Sequence, residues 1–190
     1  MPKNVADISK IVAFLFVQTP DKSRLPVFRT FKIDAKYLNL SSQTTVMKRI
    51  GICSDHAGVD YKTRLIAYLL GKGYEVVNFG TDSTDSCDYA DFAHPMANAI
   101  EAGEVDAGIA LCGTGNGMAL CLNHHKGIRA GLAWNQEVAH LVKEHNNANV
   151  LVMPARFASY RMVVMMVREW LKTEFAGGRH QRRIDKIVQP

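Results

Sequence analysis

The sequence lacks a long apolar run. Its longest, Ile11 to Val17, is seven residues, well short of the ~20 that cross a bilayer as a helix. No membrane role is expected. It also lacks a C-x-x-C pair. The four cysteines stand at 53, 87, 112 and 121, a spacing that suits neither zinc nor a dithiol redox motif. They read as free thiols of a reducing compartment, which points to the cytoplasm. No Gly-Lys-Ser/Thr follows the glycine-rich stretch at 113–117, which excludes a Walker loop. A strong charge of one sign is missing too. The formal net charge is +5, but residues 1–47 hold seven Lys or Arg against three Asp, while residues 48–190 hold sixteen basic residues against fifteen acidic. With a body this close to neutral, a broad nucleic-acid surface has little support.

What is present fits an ordinary globular protein: 190 residues, 47% apolar and 22% charged. Length alone suggests about one domain. Residues 1–47 show no helical period and carry loop formers at Gln18–Ser23 and Ser41–Thr45; Met47-Lys48-Arg49-Ile50 then reads like a second start. We read 1–47 as an N-terminal extension, weakly ordered or accessory, and 48–190 as the functional domain with a basic C-terminal tail. A targeting peptide is the competing reading. The basic bias favours it; Asp7, Asp21 and Asp34 and the missing small-residue cleavage site after Val17 oppose it.

From residue 48 strand and helix patterns alternate. Strands are predicted at 50–54, 74–79, 107–112, 128–133 and 149–153, and helices at 58–72, 92–102, 118–123, 137–145 and 159–173. Trp134, Trp170, Met162, Met165 and Met166 are assigned to the core; His124, His125 and His140 are assigned to the surface. Alternation of this kind implies an α/β protein whose five-stranded parallel sheet is covered on both faces. Ligands of such sheets bind beyond the carboxyl ends of the strands. Asp55 and His56, the Asp88-Tyr89 loop, Cys112 and Arg156 all fall at those ends.

Four stretches carry candidate chemistry. Cys112-Gly113-Thr114-Gly115-Asn116-Gly117 puts a thiol at a strand end, followed by glycines whose free amides suit an anion, either a phosphate or an enediolate oxyanion. The plain alternative is a tight turn with a buried cysteine. Ser54-Asp55-His56-Ala57-Gly58 sets a carboxylate beside an imidazole, as an acid–base pair or as a helix cap. His145-Asn146-Asn147-Ala148-Asn149 is a ligand contact or a helix-ending turn. Gly177-Gly178-Arg179-His180-Gln181-Arg182-Arg183 offers arginines to a phosphate or is a solvated tail.

Taken in order, SDHAG at 54–58, DYADFA at 88–93, CGTGNG at 112–117, GIRA at 127–130, EHNNANV at 144–150 and GGRHQRR at 177–183 resemble the B-type ribose-5-phosphate isomerase family, which includes allose- and galactose-6-phosphate isomerases. The resemblance runs from about Lys48 to Ile187. It implies a three-layer α/β/α Rossmann-like subunit and a homodimer, or a tetramer built from it, whose active sites draw on both chains. It implies an aldose–ketose isomerase acting on ribose 5-phosphate and ribulose 5-phosphate through an enediolate, in the non-oxidative pentose phosphate pathway, without cofactor or metal. By the same resemblance Cys112 is the base. Thr114 and the amides around Gly113, Gly115 and Gly117 cradle the enediolate, and Asp55 and His145 open the sugar ring. His56, Arg156, Arg179 and Arg183 clamp the phosphate; Tyr89 and Asn146 contact substrate. Some members place a glutamate where Met118 stands and lack the cysteine, so the thiol mechanism fits here. Ala90 departs from a usual proline. Two other readings stay open: a hexose-6-phosphate isomerase on the same scaffold, and a phosphosugar- or nucleotide-sensing module without catalysis.

Overall fold

The computed structural model describes residues 12–15, 29–32 and 48–187. The chain divides into two units, Met1–Thr45 and Val46–Pro190. In the first, β1 (Val12–Leu15) and β2 (Arg29–Lys32) pair antiparallel, with Val12 opposite Lys32. The rest of the expectation for residues 1–47 lies outside the described residues.

The second unit holds the sheet. Its strands are β3 (Arg49–Ser54), β4 (Glu75–Asn78), β5 (Ala107–Cys112), β6 (Ala130–Leu132) and β7 (Val150–Pro154). Its helices are α1 (Val59–Leu70), α2 (Ala90–Glu101), α3 (Asn116–Leu122), α4 (Gln136–Glu144), α5 (Tyr160–Lys172) and α6 (Arg179–Ile184). Each predicted element is present. Helices α2 and α3 start two residues earlier than the apolar period suggested, and β6 is three residues long rather than six. All strand pairs are parallel, in the order β4-β3-β5-β7-β6.

Side-chain alternation divides the core into two layers, as successive residues of a strand face opposite sides. Ile50, Ile52, Ile109, Leu111, Leu151 and Met153 face α1, α4 and α5, while Cys53, Ala110, Cys112, Val150 and Val152 face α2 and α3. Helix α5 shows why it seats there. Val163, Met166, Val167 and Trp170, spaced i, i+3, i+4 and i+7, form one buried stripe. The Ser159 hydroxyl accepts the Met162 amide at 3.3 Å and caps the helix start.

Of the residues assigned to the core, Trp170 and Met166 are buried, and Met162 and Met165 are half-buried. Trp134 is a correction: it is 58% exposed. It stands in the turn between β6 and α4, past the last ladder residue, where no facing helix covers it. His125 and His140 also depart from expectation. Each is half-buried, His125 bonding Glu101 and His140 bonding Glu169 at 3.2 Å. Among the described residues no helix is long and apolar enough to cross a membrane.

The strand order fixes where a ligand fits. From β3 the chain moves outward to β4, then returns across β3 to β5. The loops leaving β3 and β5 therefore diverge, and the crevice between their carboxyl ends is a switch-point site.

Candidate active site

Asp55 leaves β3 and caps the short turn His56–Gly58, its Oδ1 accepting the Ala57 amide at 2.9 Å. The cap function occupies one oxygen only; among the described residues no donor bonds Oδ2. Nδ1 of His56 accepts the Cys87 amide at 3.4 Å. That bond puts the proton of a neutral ring on Nε2, as a donor.

Cys112 ends β5 on the α2–α3 face, 4% exposed. Its sulfur accepts the Gly115 amide at 3.1 Å. Among the described residues no other cysteine sulfur accepts a backbone amide. Cys53 is instead fully buried, burial pushing its thiol far up, and burial also raises Cys121. Thr114 Oγ1 accepts the Asn116 amide at 3.3 Å. The Tyr89 ring lies over Gly117, within 2.6 Å of where a Cβ would stand. Arg156 donates its amide to the Gly113 carbonyl at 3.1 Å, and its side chain runs beside Gly113.

Gly115 is the steric key to this loop. Its φ is +82°, and a Cβ there would collide with Leu132 Cδ1. Gly115→Ala combines left-handed strain with overpacking and is expected to cost about 2–4 kcal/mol, a Tm drop on the order of 10 °C by differential scanning calorimetry. Gly113→Ala, whose Cβ would meet Arg156 at an ordinary 3.5 Å, is expected to leave Tm within about 3 °C.

Asp55, His56, Tyr89, Cys112 to Gly117 and Arg156 thus gather at one crevice. The other four candidates do not join them within the chain. Helix α4 starts at the carboxyl end of β6 and runs back, so His145 and Asn146 stand before β7, at the amino end of the sheet. The register shows the separation: Val150 lies opposite Gly108, and Pro154 opposite Cys112. Arg179 and Arg183 are at that same far end. The Ala176 amide donates to the Glu144 carbonyl at 3.0 Å, and α6 then packs His180 against His145.

His180 is a residue the sequence reading left without a role. Its ring stacks on His145, centroids 4.2 Å apart and planes 4° from parallel, while Glu144 Oε2 lies 3.0 Å from His145 Nε2. Burial, then the positive charge of His145, Arg179 and Arg183, holds His180 below the ordinary imidazole value. The His180 ring thus lies flat against the face of His145.

An anion held by the amides of 113–117 needs space beside the Cys112 sulfur. A cavity of about 540 Å³ is present, but it lies at the amino ends of β6 and β7, lined by Asn123, His125, Arg129 and Asn146 among others. Cys112 itself is 4% exposed, its sulfur held against the Gly115 amide. Among the described residues no group of three or more His, Cys, Asp or Glu side chains is placed to hold a metal ion.

Comparison with known proteins bears on this site. Residues 50–187 match the Ribose/Galactose Isomerase family. The chain is 39% identical over 142 residues to ribose-5-phosphate isomerase B of Escherichia coli, covering 75% of this chain and 95% of that protein. It is 46% identical to a ribose 5-phosphate isomerase of Thermotoga maritima of known crystal structure, with a TM-score of 0.72, over 74% of this chain and 97% of that one. The Mycoplasma genitalium ribose-5-phosphate isomerase B solved with bound ribulose-5-phosphate is 40% identical, with a TM-score of 0.71, over 74% and 93% of the two chains.

Proposed function

The chain belongs to the ribose/galactose isomerase family, and from that membership and the geometry above we propose that it interconverts ribose 5-phosphate and ribulose 5-phosphate, with Cys112 as the base. The observation that carries the reading is the Gly115 amide on the Cys112 sulfur at the switch-point crevice. The contact holds the sulfur at the mouth of the 113–117 loop, beside the amides that face a ligand there.

The sugar reacts as its open chain. Asp55, through its free oxygen, and His145 pass the protons that open the ring. The Cys112 sulfur then takes the proton from carbon 2. The electron pair moves into a carbon 1–carbon 2 double bond, and the aldehyde oxygen becomes the enediolate oxyanion. Amides of the 113–117 loop and the Thr114 hydroxyl stabilise that charge. The thiol returns its proton to carbon 1, the hydroxyl proton of carbon 2 passes to oxygen 1, and the ketose is formed. His56, through Nε2–H, and Arg156, Arg179 and Arg183 hold the phosphate far from the reacting carbons. Binding energy there orients the sugar. Tyr89 and Asn146 contact its hydroxyls.

The site as read needs both ends of the sheet. We infer that the working unit is a homodimer, each crevice receiving His145, Asn146, Arg179 and Arg183 of the partner. Four free thiols support a cytoplasmic setting, and the activity belongs with pentose phosphate interconversion. A coupled assay tests the reading on ribose 5-phosphate, allose 6-phosphate and galactose 6-phosphate. Turnover of ribose 5-phosphate at a kcat/KM at least about tenfold above either hexose phosphate is expected, roughly 1.4 kcal/mol of discrimination. Preference for a hexose phosphate, or binding without turnover of any of the three, would overturn it.

A further inference from the structure

Lys62 is the anomaly of α1. It shares the helix's buried stripe with Leu65 and Leu69 and is completely inaccessible. A buried ammonium is costly unless its protons find acceptors and its charge finds a counter-charge. Both come from the segment after β4. The Lys62 amine donates to Asn78 Oδ1 at 2.9 Å and pairs with the Asp82 carboxylate. Asn78 closes the network, giving its amide to Asp82 at 3.0 Å and accepting the Gly80 amide at 3.0 Å.

This network fixes one end of a segment whose other end faces the sugar. Next to it, Gly80 accepts the Ser54 amide at 2.7 Å and the Thr81 amide donates to the Ser54 carbonyl at 2.8 Å, tying residues 80–81 to the end of β3. Beyond it, the Ser83 hydroxyl donates to Asp85 at 2.9 Å, a bond internal to the segment. The segment then supplies the Cys87 amide to His56 and the Tyr89 ring to Gly117. We propose that Lys62 is a positioning residue: through Asn78 and Asp82 it holds residues 79–89 in place, and through them it sets where His56 and Tyr89 meet the sugar phosphate. The inference deepens the isomerase reading and rests on it. The ammonium beside Asp82 also holds that carboxyl below its ordinary range.

Asp82 is the better site for a test, because its side chain is 74% exposed and its removal opens no cavity, while it leaves the Lys62 ammonium with Asn78 alone as acceptor. Full-length wild type, Asp82→Ala, Tyr89→Phe and the double variant are assayed on ribose 5-phosphate. Alkylation of Cys87 by iodoacetamide is followed in parallel by peptide mass spectrometry. Asp82→Ala is expected to raise KM on the order of tenfold and to keep kcat within about threefold, the pattern of lost uniform binding. The double variant is expected to lie within about twofold of the worse single variant, as residues acting through one contact are not additive. Cys87 is expected to react at least about fivefold faster, as local opening of the segment exposes it. An unchanged KM, additive effects, or an unchanged Cys87 rate would each overturn the proposal. If wild type turns over no sugar phosphate, the isomerase reading falls separately, and the Cys87 rate alone decides whether Asp82 holds the segment.

Discussion

Cys112→Ala is expected to lower kcat for ribose 5-phosphate about a thousandfold, ~4 kcal/mol of barrier, while KM stays within about threefold. One group both removes the proton from carbon 2 and returns it to carbon 1, so its loss interrupts both halves of the reaction. The phosphate clamp and the amide cradle remain, and substrate binding survives. The other three thiols are held elsewhere: Cys53 faces Met118 inside the core, the two sulfurs 3.9 Å apart, Cys121 lies against His94 at 3.4 Å, and Cys87 lies against Nδ1 of His56 at 3.8 Å. Cys112→Ser is expected to fall nearly as far, because a hydroxyl is a poor base where a thiolate is a fair one. Exchange of the carbon 2 hydrogen with deuterated water, followed by NMR, reads the same step without any coupling enzyme. It is expected to vanish in both variants. Retention of more than about a tenth of the wild-type rate, ~1.4 kcal/mol, would remove Cys112 from the role of base.

The carboxyl-end cluster was legible because it follows from a local rule. Each of Asp55, Tyr89, Cys112 and Arg156 ends a strand or sits in the loop that follows one, and parallel strands aim those positions to one end of the sheet. The strand order was not legible. Alternation says that β6 and β7 join the sheet, but β7 inserts between β5 and β6 through packing that no residue spacing records. Lys62 was hidden for a related reason. A lysine among polar helix positions reads as solvated, and only the tertiary placement of Asn78 and Asp82 makes a buried amine tolerable. The same applies to His180, where the motif flagged the arginines on either side while the stacking that gives it a role comes from α4, 35 residues earlier in the chain. Trp134 failed in the opposite sense. Its large apolar surface suggested the core, but its place in the β6–α4 turn leaves it exposed.

The separation of His145 from Cys112 leads to the second large effect. If each crevice is completed by a partner, two inactive variants should rescue one another. Cys112→Ala damages the crevice of its own chain, whereas His145→Ala damages the crevice of its partner. A mixed dimer then carries both lesions in one site and none in the other. Random pairing of equal amounts makes about half of all dimers mixed, so about a quarter of all sites are intact, as two-fold symmetry requires. Co-expressed, the pair is expected to show about a quarter of wild-type kcat per site, against about a hundredth or less for each variant alone. The result is read on the purified mixture with ribose 5-phosphate. A control pair, Cys112→Ala with Asp55→Ala, places both lesions in the crevice of the chain that carries them. In its mixed dimers each site keeps one defect, and no recovery is expected. Activity in the first mixture no greater than the mean of its parents would show that His145 does not act across subunits. Its position at the far end of the sheet would then leave ring opening to Asp55 alone.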